Sequence, residues 1–266
     1  MEGNFKSLNK SVYIPFDSVK NYYLYSTAEG GVRYLQYVNG AGSYTLEIKP
    51  NGYKPKTGLL LAKSIENKIR GKKVLDLCTG ETGVIAIHSA SYGAKEVVGV
   101  DVDKETVDWA NYNADLNNLR NISFKTGNLF ENVTGRFEVI IANPPQMPMV
   151  DESLHDSGGI YGREIIEKII VNAPKYLLPN GEVYMLLFDF LAVDKCYNQL
   201  PSIKQIFEKY GFSMQIIKRV KRLVRKGGET EKSLKYIMEK YPSYSFESDG
   251  EEYYHEVFIV RAVLGN

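Results

Sequence analysis

The stretch Lys73-Val74-Leu75-Asp76-Leu77-Cys78-Thr79-Gly80-Glu81-Thr82-Gly83 decides the fold. Val74 to Leu77 is a short apolar strand carrying one acid, Asp76, and it runs into a glycine-containing turn that opens a helix expected over about 83–91. Working outward, the alternation repeats. Residues 96–101 read as a second strand, followed by a helix through Trp109 and Leu116, and 122–125 as a third strand. Residues 137–142 form a fourth, a helix is expected over about 162–177, and 182–187 is a fifth strand. Short, nearly continuous apolar strands separated by amphipathic helices predict a parallel sheet with helices on both faces. A helix ending near Tyr210-Gly211 and two long strands, 213–225 and 253–264, predict an antiparallel C-terminal edge.

The flanks differ in character. Residues 1–52 are rich in Tyr and Gly, with strand-like pieces at 22–25 and 32–37 punctuated by Gly30, Gly31, Gly40 and Gly42, which predicts a small β-hairpin region. Thr57 is expected to cap a helix carrying Leu59 to Ile65 and ending near Gly71. A polar, helical insertion is expected over 226–252, around Ser233 to Met238. The division is therefore 1–52, a small region, and 53–266, an α/β domain bearing the insertion.

The whole chain has 266 residues, 44% hydrophobic and 24% charged, with a formal charge of +1. Global charge gives no reason to expect a nucleic-acid or membrane partner. Two distant cysteines, Cys78 and Cys196, make no disulfide framework and point to a reducing compartment. The first residues lack the apolar core of a signal peptide, and no apolar run approaches a membrane span, so a cytoplasmic protein is expected. His88, His155 and His255 are scattered, and no metal site is expected.

Ligands of open α/β sheets bind at the carboxyl ends of the strands, where the 78–83 turn must lie. Gly80 and Gly83 let backbone approach a ligand closely. Asp76 would repel the pyrophosphate of a dinucleotide but suits a cationic ligand, and S-adenosylmethionine carries both a sulfonium and an ammonium. Asp101, ending the second strand, can accept hydrogen bonds from both ribose hydroxyls, with Val102 beside it. Asn128, followed by Leu129, can meet the adenine edge. A nicotinamide-dependent oxidoreductase would want Gly where Cys78 stands and leaves the next motif unexplained.

That motif is Asn143-Pro144-Pro145, directly after the fourth strand. Two prolines stiffen the backbone and donate no N–H, so nearby carbonyls stay available as acceptors, and the Asn amide both donates and accepts. Together they can hold a planar –NH₂ group and aim its nitrogen at a methyl group. Methyl transfer is an in-line displacement that gains from alignment and from stabilising charge on the attacking nitrogen. Asn143 and Pro144 are accordingly the catalytic candidates.

Asp76-Leu77-Cys78-Thr79-Gly80, Asp101 and Asn143-Pro144-Pro145 together resemble the class I S-adenosylmethionine-dependent methyltransferases that modify planar nitrogen. Within these the sequence is most similar to the HemK-like, "methyltransferase small domain" group, which includes the release-factor glutamine methyltransferases. Gly158-Gly159-Ile160-Tyr161-Gly162-Arg163 and the 173–181 segment resemble that group's glycine loop, helix and turn. The likeness spans residues 53–190 and implies a Rossmann-like, mostly parallel seven-stranded sheet. It also implies that Asp76, Cys78, Thr79, Gly80 and Gly83 surround the methionine part of the cofactor. Asp101 and Val102 would hold the ribose, Asn128 and Leu129 the adenine, and Asn143 would border the cofactor. Asn143 and the Pro144 carbonyl would hold the acceptor, with Pro55, Thr57, Pro145, Gln146 and Tyr161 around it. The residue after Pro-Pro is usually an aromatic that stacks on the acceptor; here it is Gln146. Residues 1–52 do not resemble the helical substrate domain of the release-factor enzymes.

The run 218–226 is the only dense basic segment, readable as a charged edge strand or as a contact for phosphates or an acidic substrate. Tyr23, Tyr53 and Tyr161 are candidates to line the acceptor pocket, and Trp109 is expected in the core facing the sheet. The expected activity is N-methylation of a protein amide, a nucleobase or a small molecule. A base methyltransferase and a non-catalytic S-adenosylmethionine-binding protein are the alternatives.

Overall fold

The computed structural model describes residues 8–13, 22–27, 33–38, 42–50, 52–149, 156–197 and 200–265, the first two segments by backbone alone. The chain divides into two compact units, Met1–Thr134 and Gly135–Asn266.

The first unit begins with a four-stranded antiparallel sheet in sequence order, β1 (Leu8–Tyr13), β2 (Tyr22–Thr27), β3 (Arg33–Tyr37) and β4 (Tyr44–Ile48). Then come α1 (Lys56–Ile65), β5 (Lys73–Leu77), α2 (Val84–Ser91), β6 (Glu96–Asp101), α3 (Lys104–Leu116) and β7 (Ile122–Thr126). β5, β6 and β7 are parallel neighbours, with Asp76 opposite Gly99 and Asp101 opposite Thr126. Val74, Leu75 and Leu77 are fully buried, as parallel strands covered on both faces require. α2 is apolar on nearly every side and buried from Val84 to Ala90, whereas α3 presents only Thr106, Val107, Ala110, Asn113 and Ala114 inward. Asp103 caps α3, its carboxylate accepting the Thr106 N–H at 3.0 Å.

Two details differ from the sequence expectation. Pro55, not Thr57, occupies the cap position of α1, which has no side-chain capping bond. Its carbonyl already accepts the Leu59 N–H at 2.9 Å, so the helix begins before the Thr57 hydroxyl can serve. Trp109 is half-buried rather than a core residue, and its Nε1 donates to the Glu47 carbonyl of β4 at 3.0 Å.

The second unit comprises β8 (Phe137–Ala142), α4 (Glu164–Tyr176), β9 (Leu177–Phe188), α5 (Ile203–Lys209), β10 (Phe212–Leu223), α6 (Glu229–Lys232), α7 (Leu234–Lys240), β11 (Glu247–Asp249) and β12 (Glu252–Leu264). β8 and β9 are parallel; β12 pairs antiparallel with β9, β10 and β11. The expected antiparallel edge is thus present, and α6 and α7 fall within 226–252. The fold is α/β, a mostly parallel sheet flanked by helices with a small N-terminal antiparallel sheet. Among the described residues no helix is long and apolar enough to cross a membrane.

In β10 the basic residues come as two adjacent pairs, Lys218-Arg219 and Lys221-Arg222, so they fall on both faces of the strand. Arg219 lies over the Phe258 ring and reaches Asp194 at 2.8 Å, and Lys221 pairs with Glu247. These cations are matched by acids on their own face.

Candidate functional site

In the first unit the turn after β5 folds over the end of β6. The Thr79 N–H donates to the Val100 carbonyl at 3.1 Å, and the Gly80 N–H donates to Asp101 Oδ2 at 3.0 Å. Asp101 Oδ1 accepts the Asp103 N–H at 3.2 Å, so this carboxylate is oriented by two backbone donors. Cys78, Gly80 and Gly83 all have left-handed backbone, with φ of 57°, 70° and 62°. For glycine that conformation is unstrained, but at Cys78 the Cβ makes it costly, as is common at functional turns. A Cβ on Gly80 would meet nothing within 4 Å, so the space beside it is open. A Cβ on Gly83 would sit 3.0 Å from the Phe124 ring and 3.1 Å from Ala110.

Asp76 is fully buried, and Thr79 Oγ1 donates to its Oδ2 at 2.5 Å. Burial pushes its pKa up to about 7, against the opposing pull of Thr79 and the Ala86 N–H, with nearby Asp101 raising it further. Its Oδ1 has no well-formed hydrogen bond. A buried carboxylate with an unfilled acceptor is stabilised by a cationic partner, which favours its ionised form. Burial, then Asp101 and Asp76, push the Cys78 thiol upward, which rules it out as a thiolate nucleophile at neutral pH. Val102 is 51% exposed beside Asp101, an apolar surface fit for an adenosine. Asn128 is exposed, its N–H taken by Glu131 Oε2 at 3.0 Å, and Leu129 has a φ of 55°. The orphaned acceptor of Asp76, the open space at Gly80 and the oriented Asp101 carboxylate fit S-adenosylmethionine.

Three contributors were not singled out in the sequence. Glu81 Oε1 accepts the Tyr53 N–H at 3.1 Å, tying the segment before Pro55 and Thr57 to the cofactor turn. Phe124 packs where Gly99 has no side chain, and a Cβ at 99 would also lie 3.0 Å from Thr79 Oγ1. A glycine in mid-strand was the signal for that close approach. Tyr53 is 63% exposed, while the side chain of Tyr23 lies outside the described residues.

In the second unit Asn143-Pro144-Pro145 leaves the end of β8, with Pro144 buried and Asn143 and Pro145 half-buried. Gln146, expected among the acceptor contacts, is 4% exposed and spends its amide on backbone instead. Its Nε2 donates to the Leu186 carbonyl at 3.0 Å and reaches the Pro144 carbonyl at 3.3 Å. Its Oε1 accepts the Phe188 N–H at 2.9 Å. The glycine loop packs against this segment: Gly158 N–H donates to the Met147 carbonyl at 3.0 Å, and a Cβ on Gly162 would lie 2.6 Å from the Gln146 carbonyl oxygen. Tyr161 is 42% exposed, and its carbonyl accepts the Tyr241 hydroxyl at 2.6 Å. Tyr244 donates to Asp189 at 3.0 Å, so the 226–252 insertion is pinned both to the glycine loop and to the end of β9.

The fold and the family match make the chain an S-adenosylmethionine-dependent methyltransferase. The chain belongs to the methyltransferase small domain family, which matches residues 55–224. It is 38% identical over 184 residues to a Methanocaldococcus jannaschii protein named "Putative protein N5-glutamine methyltransferase", covering 66% of this chain and 88% of that one. It is 26% identical to the release factor glutamine methyltransferase of Aliivibrio fischeri, over 64% of this chain and 63% of the relative. Among solved structures, the YcgJ protein from Bacillus subtilis shares the fold with a TM-score of 0.54 at 16% identity, over 79% of this chain and 98% of that one.

Proposed function

We propose that the chain transfers a methyl group to the side-chain amide nitrogen of a glutamine in a protein, a release factor being the first candidate. The observation that carries this reading is the Asn143-Pro144-Pro145 loop, where two prolines withhold N–H groups and leave carbonyl acceptors suited to a donor-rich primary amide. The names of the M. jannaschii and A. fischeri relatives support it.

S-adenosylmethionine, when bound, supplies an electrophilic methyl group on its sulfonium. Asp76 would take the ammonium on its unfilled oxygen, and Asp101 would take the ribose hydroxyls with Val102 against the nucleoside. Asn128 and Leu129 border the adenine, with Thr79, Gly80 and Gly83 shaping the turn. Asn143 and the Pro144 carbonyl accept the two amide hydrogens, which aligns the nitrogen and localises its lone pair. The N–C bond forms as the S–C bond breaks, and the nitrogen gives up one proton through its carbonyl acceptors to water. Residues 1–52 and the 226–252 insertion, both outside the family match, select the acceptor. The cysteines Cys78 and Cys196 are free, which suits the cytoplasm.

The test supplies isotope-labelled S-adenosylmethionine and the release factor of the same organism, with the product mapped by mass spectrometry. A methyl on one glutamine, lost in Asn143→Ala, is the expected result; label on RNA and none on protein would overturn the acceptor. Calorimetry with S-adenosylhomocysteine, NAD and Asp101→Ala separately tests the cofactor, with binding expected for the sulfur ligand only and weakened at least about tenfold by the substitution.

A further inference from the structure

We propose that Gln146 is a positioning residue, its side-chain amide replacing the peptide group that Pro144 cannot offer to the β8–β9 ladder; this rests on the methyl-transfer reading above. The parallel register pairs Ile140 with Val183, Ile141 with Tyr184 and Ala142 with Met185. Continued, it sets Pro144 opposite Leu187. In a parallel ladder the residue opposite Leu187 donates its N–H to the Leu186 carbonyl and accepts the Phe188 N–H. Pro144 has no N–H to give the Leu186 carbonyl, and its own carbonyl meets Gln146 Nε2 while the Phe188 N–H goes to Gln146 Oε1, so the backbone ladder stops there.

The Gln146 amide reproduces both bonds, donating to Leu186 at 3.0 Å and accepting from Phe188 at 2.9 Å. A primary amide carries the same donor and acceptor as a peptide group, so the substitution is chemically matched. The second hydrogen of Nε2 reaches the Pro144 carbonyl at 3.3 Å, which ties that carbonyl to the end of β9. Gln146 thereby sets the direction of the acceptor-holding carbonyl without touching the acceptor. An aromatic side chain lacks the paired donor and acceptor of a primary amide and could not make both ladder bonds as a peptide group does, so the departure from the family pattern at 146 is a different way of holding the same loop.

Two substitutions test the idea. Gln146→Met keeps the volume and removes both ladder bonds. Gln146→Glu keeps an acceptor for Phe188 but turns an oxygen toward the Leu186 and Pro144 carbonyls. Both variants should lower kcat at least about tenfold while leaving KM for the acceptor and the affinity for S-adenosylhomocysteine within about twofold. Exchange of the Phe188 amide should accelerate in Gln146→Met and stay slower in Gln146→Glu. A raised KM with unchanged kcat would make Gln146 an acceptor contact and overturn the proposal. Should the wild type methylate no glutamine, the function reading fails on its own. The positioning claim is then decided by hydrogen exchange, and an equally protected Phe188 in Gln146→Met would overturn it.

Discussion

At the scale of the residue, the role proposed for Asp76 sets stability against function. Its carboxyl is raised to about 7 in the folded chain by burial, far above its unfolded value. Between those two values the folded state holds a proton that the unfolded state has released, so stability falls as pH rises and the loss is complete above about 7. Asp76→Asn is therefore expected to unfold at a higher denaturant concentration than wild type at pH 8, by about 1 kcal/mol or more, while binding S-adenosylmethionine far more weakly. In the wild type, affinity should increase as pH rises through 7, with net proton release on binding. Calorimetry at pH 6 and 8 in buffers of different ionisation enthalpy reads both, and an affinity that ignores pH would remove Asp76 from the ammonium. Gly99 makes a simpler case. Adding a methyl group there meets the Phe124 ring and Thr79 Oγ1, so Gly99→Ala should destabilise by about 1–3 kcal/mol in urea unfolding.

At the scale of the element, strands here are completed by side-chain amides. Asn113 in α3 and Asn117, the residue that caps its C-terminus, lie one turn apart, and both face β4. Asn117 exchanges hydrogen bonds with the Thr45 peptide at 2.8 and 2.7 Å, and Asn113 does so with Glu47 at 2.8 and 3.1 Å. A helix thus presents two pseudo-peptides to the edge of a strand, the device that Gln146 provides for β9. The expected cost of Asn113→Ala or Asn117→Ala is about 1–3 kcal/mol, since each leaves backbone groups of β4 unpaired. Amide exchange at Glu47 and Thr45 locates the damage, and unchanged protection there would show that α3 does not hold the strand.

At the scale of the whole molecule, buried neutral histidines govern the response to acid. His88 is lowered to about 3 and His255 to about 4, both chiefly by burial, with Lys63 and Arg222 respectively adding to it. Below about 6.5 the unfolded chain gains protons that the folded chain refuses, so each histidine removes stability as pH falls toward its folded value. Asp76 at about 7 and Asp189 at about 6 work in the opposite sense. The wild-type profile is therefore flattened in the middle, and the histidine contribution emerges by comparison with a variant. His88→Gln retains a partner for the Tyr44 hydroxyl, which lies 3.0 Å from His88 Nδ1. Its stability relative to wild type should improve steadily from pH 6.5 downward, and a constant difference across that range would show that His88 does not titrate on unfolding.

The alternation of apolar strands with amphipathic helices, the glycine turn and its two acids were legible in the sequence because each is a local pattern. Asp76, Gly80 and Gly83 lie within eight positions, and Asp101 closes the very next strand. Asn143-Pro144-Pro145 could be singled out as a candidate for the same reason, since the pattern lies in three consecutive residues. What Gln146 does could not be read this way, because its partners on β9 lie 40 and 42 residues further along. Asn113 and Asn117 likewise meet backbone 66 and 72 residues distant. A side-chain amide looks the same in sequence whether it faces water or a strand edge. Only the folded register decides which peptide groups are left without partners, and therefore which amides must answer them.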